Sequence, residues 1–501
     1  MDVPGVTSQA AGYGTYVLAG WLFLRLVGLI YLVAFVSLAR QMKGLIGQEG
    51  ILPAVEVLER GRSWGSKRFY LLPTLCWLNT SDRFLLLLAW SGAGLSVLVV
   101  IGFAPALVLL ALWSLYLSLF TVSRVFLGYQ WDVLLLETGF LAIFLAPPEA
   151  APRFPPSATP SPIVLWLMWW LLFRLMFSSG LAKLTSGDPT WRRLIALRFH
   201  YETQPLPTPV AWQAHQLPLI FHRASAAVMF GIEIFAPLLM FGSGPSRTAA
   251  AFLFIAFMVL IQLSGNYCFF NFLAIALSVL LLDDTVLLPV FKGLFPGSDF
   301  STAVAPAPRW ENGVASAVAV VILSLSLGPI ARLCRLEINR PKVLLRFFDL
   351  LDPFRLVNSY GLFSVMTTER PEIIVEGSHD GENWQEYEFK WKPGNVKRGA
   401  RFVAPHQPRL DWQMWFAALG YYPDNPWFIR LLTRLLEGSP AVLSLLKTNP
   451  FPNVPPRYIR GVMYDYRFTT RVQRRATGAW WQRERRGSYC PILELGRTFA
   501  E

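Results

Sequence analysis

Apolar runs dominate the first two thirds of the chain. Windows of about 20 mostly apolar residues, the length a helix needs to cross a hydrocarbon core about 30 Å thick, recur at roughly 16–39, 84–103, 105–122, 130–146, 163–182, 222–241, 247–265, 269–289 and 313–331. In lipid every backbone group must be bonded internally, so helices are the form such runs take. The pattern predicts an α-helical polytopic membrane protein of about eight or nine transmembrane helices. The lower count applies if the fourth run is re-entrant or interfacial, since Asp132 and Glu137 sit inside it. The first run is too long for a secretory h-region and no Lys or Arg precedes it, so it is expected to be retained as a span.

After Arg332 the period changes. Residues 373–392 alternate and turn at Asp380-Gly381, which predicts a β-hairpin with exposed polar faces. Residues 410–447 read as helical with Pro440 at a helix start, and Tyr458 to Thr470 reads as extended. The expected organisation is a multi-span domain over 1–335 and a soluble, β-sandwich-like α+β domain over 336–501. Of the long connections, 40–83, 147–162 and 183–221, the last is rich in aromatic residues and proline and is expected to form a packed cap.

Composition agrees with a lipid solvent. Of 501 residues 54% are hydrophobic and 15% charged, with a mean hydropathy of +0.41, too apolar for one water-soluble globule. The net charge of +13 is uneven: from Arg332 onward 26 Lys and Arg face 17 Asp and Glu, leaving +9 on the tail. Without a recognition motif this basic character points to lipid headgroups, an acidic partner or solubility, and no nucleic-acid partner is expected. Lys and Arg fall in alternate connections, seven in 40–83, one in 122–129 and four in 183–221. The positive-inside rule places these loops and the tail in the cytoplasm, although long segments report poorly. Cys76, Cys268, Cys334 and Cys490 are far apart and form no C-x-x-C pair, which argues against a zinc knuckle or dithiol site.

Ionisable residues inside spans are costly unless they pair or line a wet cavity. Arg25, Arg174 and Glu233 lie at such depths, with Asp132 and Glu137 in the fourth run. A buried ion pair joining Arg25 or Arg174 to one of the three carboxylates is one reading, and a functional pathway the other. Asp132 and Glu137, five apart, splay by about 140° on a helix, so they are not a paired-carboxylate acid/base site. Asn266 and Asn271 interrupt an apolar run and are placed to bond across helices or to freed backbone groups. Lys183 at the membrane edge either snorkels to phosphates or serves as a desolvated amine base, and Asp188 before Pro189 is a turn or cap residue first and an acid second. His200, Glu202, His215 and His222 match no zinc spacing, so no metal is expected.

Long ordered motifs across nearly the whole chain resemble the lipase maturation factor family. They are Gln130-Trp-Asp-Val-Leu-Leu-Leu-Glu, Ser179-Gly-Leu-Ala-Lys-Leu, Phe199-His-Tyr-Glu-Thr-Gln-Pro, Phe221-His-Arg, Ser264-Gly-Asn, Asn358-Ser-Tyr-Gly, Arg409-Leu-Asp-Trp-Gln-Met-Trp-Phe-Ala and Pro456-Arg-Tyr-Ile-Arg-Gly. The resemblance implies a folding factor of the endoplasmic reticulum membrane that assists assembly of secreted lipases, with the C-terminal domain lumenal, against the charge count. Ala, Pro and Arg richness looks bacterial, which would translate that location to the inner membrane and periplasm. On this reading the partners are membrane lipid and a protein client, no cofactor is called for, and the residues carried by the motifs are His200, Glu202, Asn266, Asn358, Tyr360, Asp411, Trp415, Arg457 and Tyr458, with Asn271 a further functional candidate from its place in the apolar run. The aromatic content of the tail suits protein recognition and equally suits a core docked on a membrane.

A weaker similarity, Ala182-Lys-Leu followed by Asp188 and Trp191, looks like the lysine-bearing segment of the vitamin K-dependent gamma-carboxylases, where a lysine deprotonates a quinol. The fourth run lacks the histidine of that pattern, leaving only Lys183 as a carry-over. The alternatives to a folding factor are thus a membrane enzyme acting on a lipid-soluble substrate through Lys183, and a lipid-binding scaffold.

Overall fold

A computed structural model describes residues 15–156, 159–298, 300, 309–333 and 342–495. The expected domain boundary at 335/336 and Cys334 lie outside these residues.

The membrane part is built from α1 (Val17–Ala39), α2 (Asp82–Ile101), α3 (Pro105–Ser123), α4 (Gln130–Leu145), α5 (Pro162–Thr185), α6 (Leu219–Phe230), α7 (Gly244–Ser264), α8 (Phe270–Val279), α9 (Asp284–Leu294) and α10 (Arg309–Leu333). Their ends follow from local chemistry. Pro105 and Pro162 occupy first turns, where a missing N–H costs nothing. The Ser81 hydroxyl accepts from Phe84 N at the start of α2, and Gly102 ends that helix at φ +87°. The first-turn N–H groups of Val17 and Leu18 donate to Asp284 at 3.1 and 3.0 Å, so a carboxylate from α9 caps α1.

Seven helices are long and apolar enough to cross a membrane, and α8 with α9 adds a pair bent by 106°. The outward faces of the long helices are apolar: Leu107, Val228, Phe235, Leu260 and Val320 are all more than 60% exposed, the pattern of a surface wetted by lipid. The lower expected count of eight is met if the bent pair is one span, and the two runs that depart from a straight crossing are the fourth and the eighth. The run at 130–146 folds as α4, 16 residues and buried along most of its length, about 24 Å and so short of a full crossing. The run at 269–289 breaks at 280–283, where Asp283 caps the new helix through Thr285 N.

The tail holds one five-stranded antiparallel sheet in the order β3-β2-β1-β4-β5, built from β1 (Pro371–Ser378), β2 (Gln385–Phe389), β3 (Leu446–Thr448), β4 (Tyr458–Phe468) and β5 (Trp481–Glu494). The expected second sheet of a sandwich is replaced by helices. Leu410, Trp412, Phe428, Leu431 and Leu435 of α11 (Arg409–Ala418) and α12 (Pro426–Leu436) share a core with Ile373, Val375, Tyr387 and Ile459, while Ile374 clusters with Trp212, Tyr466, Phe468 and Trp481 on the other side. Pro440 does open a short helix, Pro440–Leu443, and the hairpin turns where the sequence placed it, with Asp380 Oδ1 accepting from Glu382 N and Asn383 N at 2.8 Å. Its polar residues are not exposed on the first strand, however. All of β1 is buried, because Glu372 is bonded to Arg370 and Lys392 at 2.8 and 2.9 Å and Glu376 to Arg460 at 2.7 Å.

The 183–221 connection is the packed cap the sequence predicts, with short helices Pro189–Arg192, Ala196–Thr203 and Pro209–His215. Together with the 40–81 connection it carries the tail. Arg434 Nε donates to Gly50 O at 3.0 Å, Ser439 Oγ to Glu49 O at 2.9 Å, and Trp212 Nε1 to Thr469 O at 3.0 Å. The tail and these basic connections therefore lie on one face of the bundle, as the alternation of Lys and Arg implied.

Candidate functional site

The polar residues of the membrane part gather where the bundle meets the cap and tail. On α5, Arg174 and Lys183 are nine residues apart, about half a turn out of phase, and they face opposite carboxylates. Arg174 pairs with Glu137 of α4, both buried. The other Glu137 oxygen accepts from Asn358 N at 3.0 Å, Asn358 Nδ2 at 3.2 Å and Tyr360 OH at 2.7 Å, so the motif residues Asn358 and Tyr360 tie the tail to a buried carboxylate. Asp132, on the other side of α4, receives both guanidinium nitrogens of Arg409 at 3.0 and 2.9 Å and the Tyr116 hydroxyl at 2.5 Å. The 140° splay separates the two carboxylates into two independent locks.

Lys183 Nζ donates to both oxygens of Glu233 at 2.7 and 2.8 Å and to Ser179 O at 3.3 Å. Glu233 sits in a π-helical turn, Gly231–Phe235, that continues α6 into the short helix Ala236–Leu239. The approach needs Gly180: a Cβ there would lie 2.7 Å from Ile234 Cγ1 and 2.9 Å from Glu233 Cβ. All three Nζ donors are engaged, and no lone pair is presented to a substrate cavity. Asp188 acts as the cap it resembled, accepting from Thr190 N at 2.7 Å, and its second oxygen accepts from Met366 N at 2.6 Å.

His200 Nε2 meets Tyr267 OH at 2.9 Å, and burial, then the charge of Lys183, push its pKa down to about 4. Glu202 accepts from Phe468 N, and burial raises its pKa. Asn266 spans four backbone groups, donating to Leu206 O and Arg401 O at 3.0 and 2.8 Å and accepting from Val403 N and Ala404 N at 2.7 and 3.1 Å. Asn271 Nδ2 bonds Gln262 Oε1 at 3.0 Å across the α7–α8 break. In the tail, buried Asp411 accepts from Trp391 N and Lys392 N at 2.8 and 2.9 Å, burial raising its pKa, and buried Trp415 donates to Thr203 O at 2.8 Å. Arg457 is exposed and paired with Glu494 at 2.8 Å beside half-buried Tyr458. Of these candidate residues, then, Arg457 offers its charged group at the surface, while the others sit at the bundle–cap–tail seam or inside the tail.

Sequence reasoning missed the residues that answer these. Arg409 lies inside a quoted motif, but its partner is 277 residues away. Arg370, fully buried, donates to Glu202 O and Pro205 O at 2.7 and 2.8 Å and to Glu372, and nothing local marks it. Nor do His, Cys, Asp or Glu side chains gather in threes as a metal site among the described residues.

The seam joins two regions that known proteins also join. Residues 18–288 match the model of the lipase maturation factor transmembrane domain and residues 356–491 that of the lipase maturation factor C-terminal domain. The chain belongs to the lipase maturation factor family. It is 37% identical to lipase maturation factor 2 of Xenopus tropicalis, covering 94% of this chain and 82% of that protein. It is 36% identical to lipase maturation factor 2 of Homo sapiens, over 95% and 82%, and 36% identical to lipase maturation factor 1 of Bos taurus, over 96% and 90%. No solved structure matches the chain. In this family member the two matched regions are thus physically one assembly, with the C-terminal domain held to the transmembrane domain by the buried Arg409–Asp132 ion pair and by the hydrogen bonds of Asn358 and Tyr360 to Glu137.

Proposed function

We propose that this protein is a membrane-anchored maturation factor that assists folding or assembly of a secreted, lipase-like client, and that the seam residues position the tail rather than perform chemistry. Membership of the lipase maturation factor family carries the reading. The geometry supports it against the enzyme alternative, because Lys183, the one candidate base, spends its donors on Glu233 and Ser179. A maturation factor needs a client-facing surface held at the membrane, and the tail supplies one: Leu419 and Tyr421 follow α11 with 41% and 79% exposure, and Arg457 is exposed on the rim of the sheet. The location that follows is the endoplasmic reticulum membrane in a eukaryotic cell and the inner membrane in a bacterial one, with the tail on the trans side.

Co-expression with secreted lipases tests this. A lipase of the same cell should gain specific activity only with the full-length protein and should co-purify with it, and Tyr421→Ala with Arg457→Ala should weaken capture without lowering membrane levels. Equal lipase activity with and without the protein would overturn the reading.

A further inference from the structure

Among the five intramembrane ionisable residues noted above, four have an opposite charge within 3 Å, and Arg25 is the exception among the described residues. Among the described residues its guanidinium donates to Trp21 O of its own helix, at 3.3 Å, lies 4.2 Å from the Trp21 ring, and leaves Nε without a partner. Arg247 also lacks a carboxylate, but it bonds Tyr16 OH and Gly242 O at 3.0 and 2.6 Å. A cation eight residues, about 12 Å, inside a span and unpaired among the described residues is costly, so its retention in a shaped site makes it a candidate to pair with an external anion.

The site is shaped. Arg25 lines a cavity of about 60 Å³ with Trp21, Leu24, Pro105, Leu145, Glu149 and Arg153, room for roughly four waters or one oxyanion. Gly102 makes space for the charge: a Cβ there would lie 2.2 Å from Arg25 Nη2, and the φ of +87° suits glycine. The three charged groups lining the cavity, Arg25, Arg153 and Glu149, sum to one positive charge. The wall that carries Gly102 and Pro105 continues into Ile101, Phe103 and Leu107, exposed by 55%, 47% and 72%. A headgroup at Arg25 would thus have its chain on an apolar, lipid-wetted surface.

We propose that this cavity binds the oxyanion of an acyl-chain amphiphile, a phospholipid phosphate or a fatty-acid carboxylate, with Arg25 as its charge partner. The guanidinium fork suits either oxyanion. The site lies at the α1 N-terminal end of the bundle, away from the tail, so it is independent of client binding.

The test is ligand-dependent thermal stabilisation of the full-length, delipidated protein in non-ionic detergent, since a ligand of the native state raises the unfolding midpoint saturably. Phosphatidylglycerol or oleate should do so and phosphatidylcholine should not; which of the two anions acts identifies the natural class. Arg25→Gln should weaken the apparent affinity about tenfold, the size of one charge-assisted hydrogen bond, and Arg25→Lys should recover most of it. Glu149→Gln, a loop variant outside the span, should tighten it. No saturable response, an equal response to phosphatidylcholine, or weaker binding by Glu149→Gln would overturn the proposal. Inorganic phosphate acting as well as phosphatidylglycerol would overturn it too, by showing a small-anion site without a place for a chain.

Discussion

Arg409 of the tail closes on Asp132 of α4 with two parallel hydrogen bonds of 3.0 and 2.9 Å, both side chains fully buried and 277 residues apart in the chain. Removing one partner of such a pair strands a charge, which costs about 3–5 kcal/mol, whereas removing both with matched volume costs far less. Arg409→Met and Asp132→Leu should each lower the thermal midpoint and expose the seam to protease, and the double variant should recover most of the loss. Additive losses in the double variant would show that the pair does not hold the tail.

The same logic separates folding factor from enzyme at Lys183. Lys183→Met and Glu233→Gln should each destabilise, and the neutral pair Lys183→Met with Glu233→Gln should restore both stability and lipase activation. A well-folded double variant without lipase activation would mean that the amine itself is chemically required.

Two histidines predict acid lability. His200 and His406 both have pKa values pushed down to about 4 from an ordinary 6.5, chiefly by burial. His406 Nδ1 meets Ser37 Oγ at 2.9 Å, the same hydroxyl that accepts from Gln407 N at 2.9 Å, so it sits on the joint between α1 and the tail. The unfolded chain binds a proton at each site below about pH 6.5 that the native state refuses until about pH 4. Their contribution is therefore intact above pH 6.5 and is lost progressively down to pH 4. The midpoint measured in detergent should fall over that window, and His406→Asn should flatten the slope. Glu202 and Asp411, whose pKa values burial raises, act with the opposite sign, so the histidine contribution is read from the difference between wild type and His406→Asn, and identical slopes would contradict it.

Much of this architecture was legible in the sequence, and the reason is the solvent. Lipid demands long apolar helices, so seven of the expected spans lie close to where the runs put them, and Asp380-Gly381 and Pro440 marked their turn and helix start by local backbone preference. What was not legible depends on packing. That Glu233 needed a partner follows from its depth, but the choice of Lys183 over Arg25 or Arg174 depends on a π turn and on Gly180. The bend at 280–283 was marked by Asp283-Asp284, a helix-start signal inside an otherwise apolar run that run length alone passes over, and buried Asp411 and Trp415 look like recognition residues until the cap that covers Trp415 is in place.

Sidedness follows from the contacts as well as from the charge pattern, and it can be tested directly. Glu56 pairs with Arg430, and Arg434 reaches Gly50 O, so the 40–81 connection and the tail occupy one side of the membrane. Asp284 at the start of α9 caps the opposite end of α1, which places α9 on the other side. Single cysteines replacing exposed Glu59, Glu382 and Lys292, in a chain whose four native cysteines are serine, should label in two groups with an impermeant maleimide on sealed vesicles. Residues 59 and 382 should react together and residue 292 from the opposite face. The tail is long enough to translocate largely regardless of its charge, whereas the 40–81 and 183–221 connections are short enough for their Lys and Arg to favour the cytoplasmic side, so the labelling decides between that pattern and a tail on the trans side. Labelling of 59 and 382 from the cytoplasm would leave the fold intact but remove any secreted client from reach, and with it the maturation role.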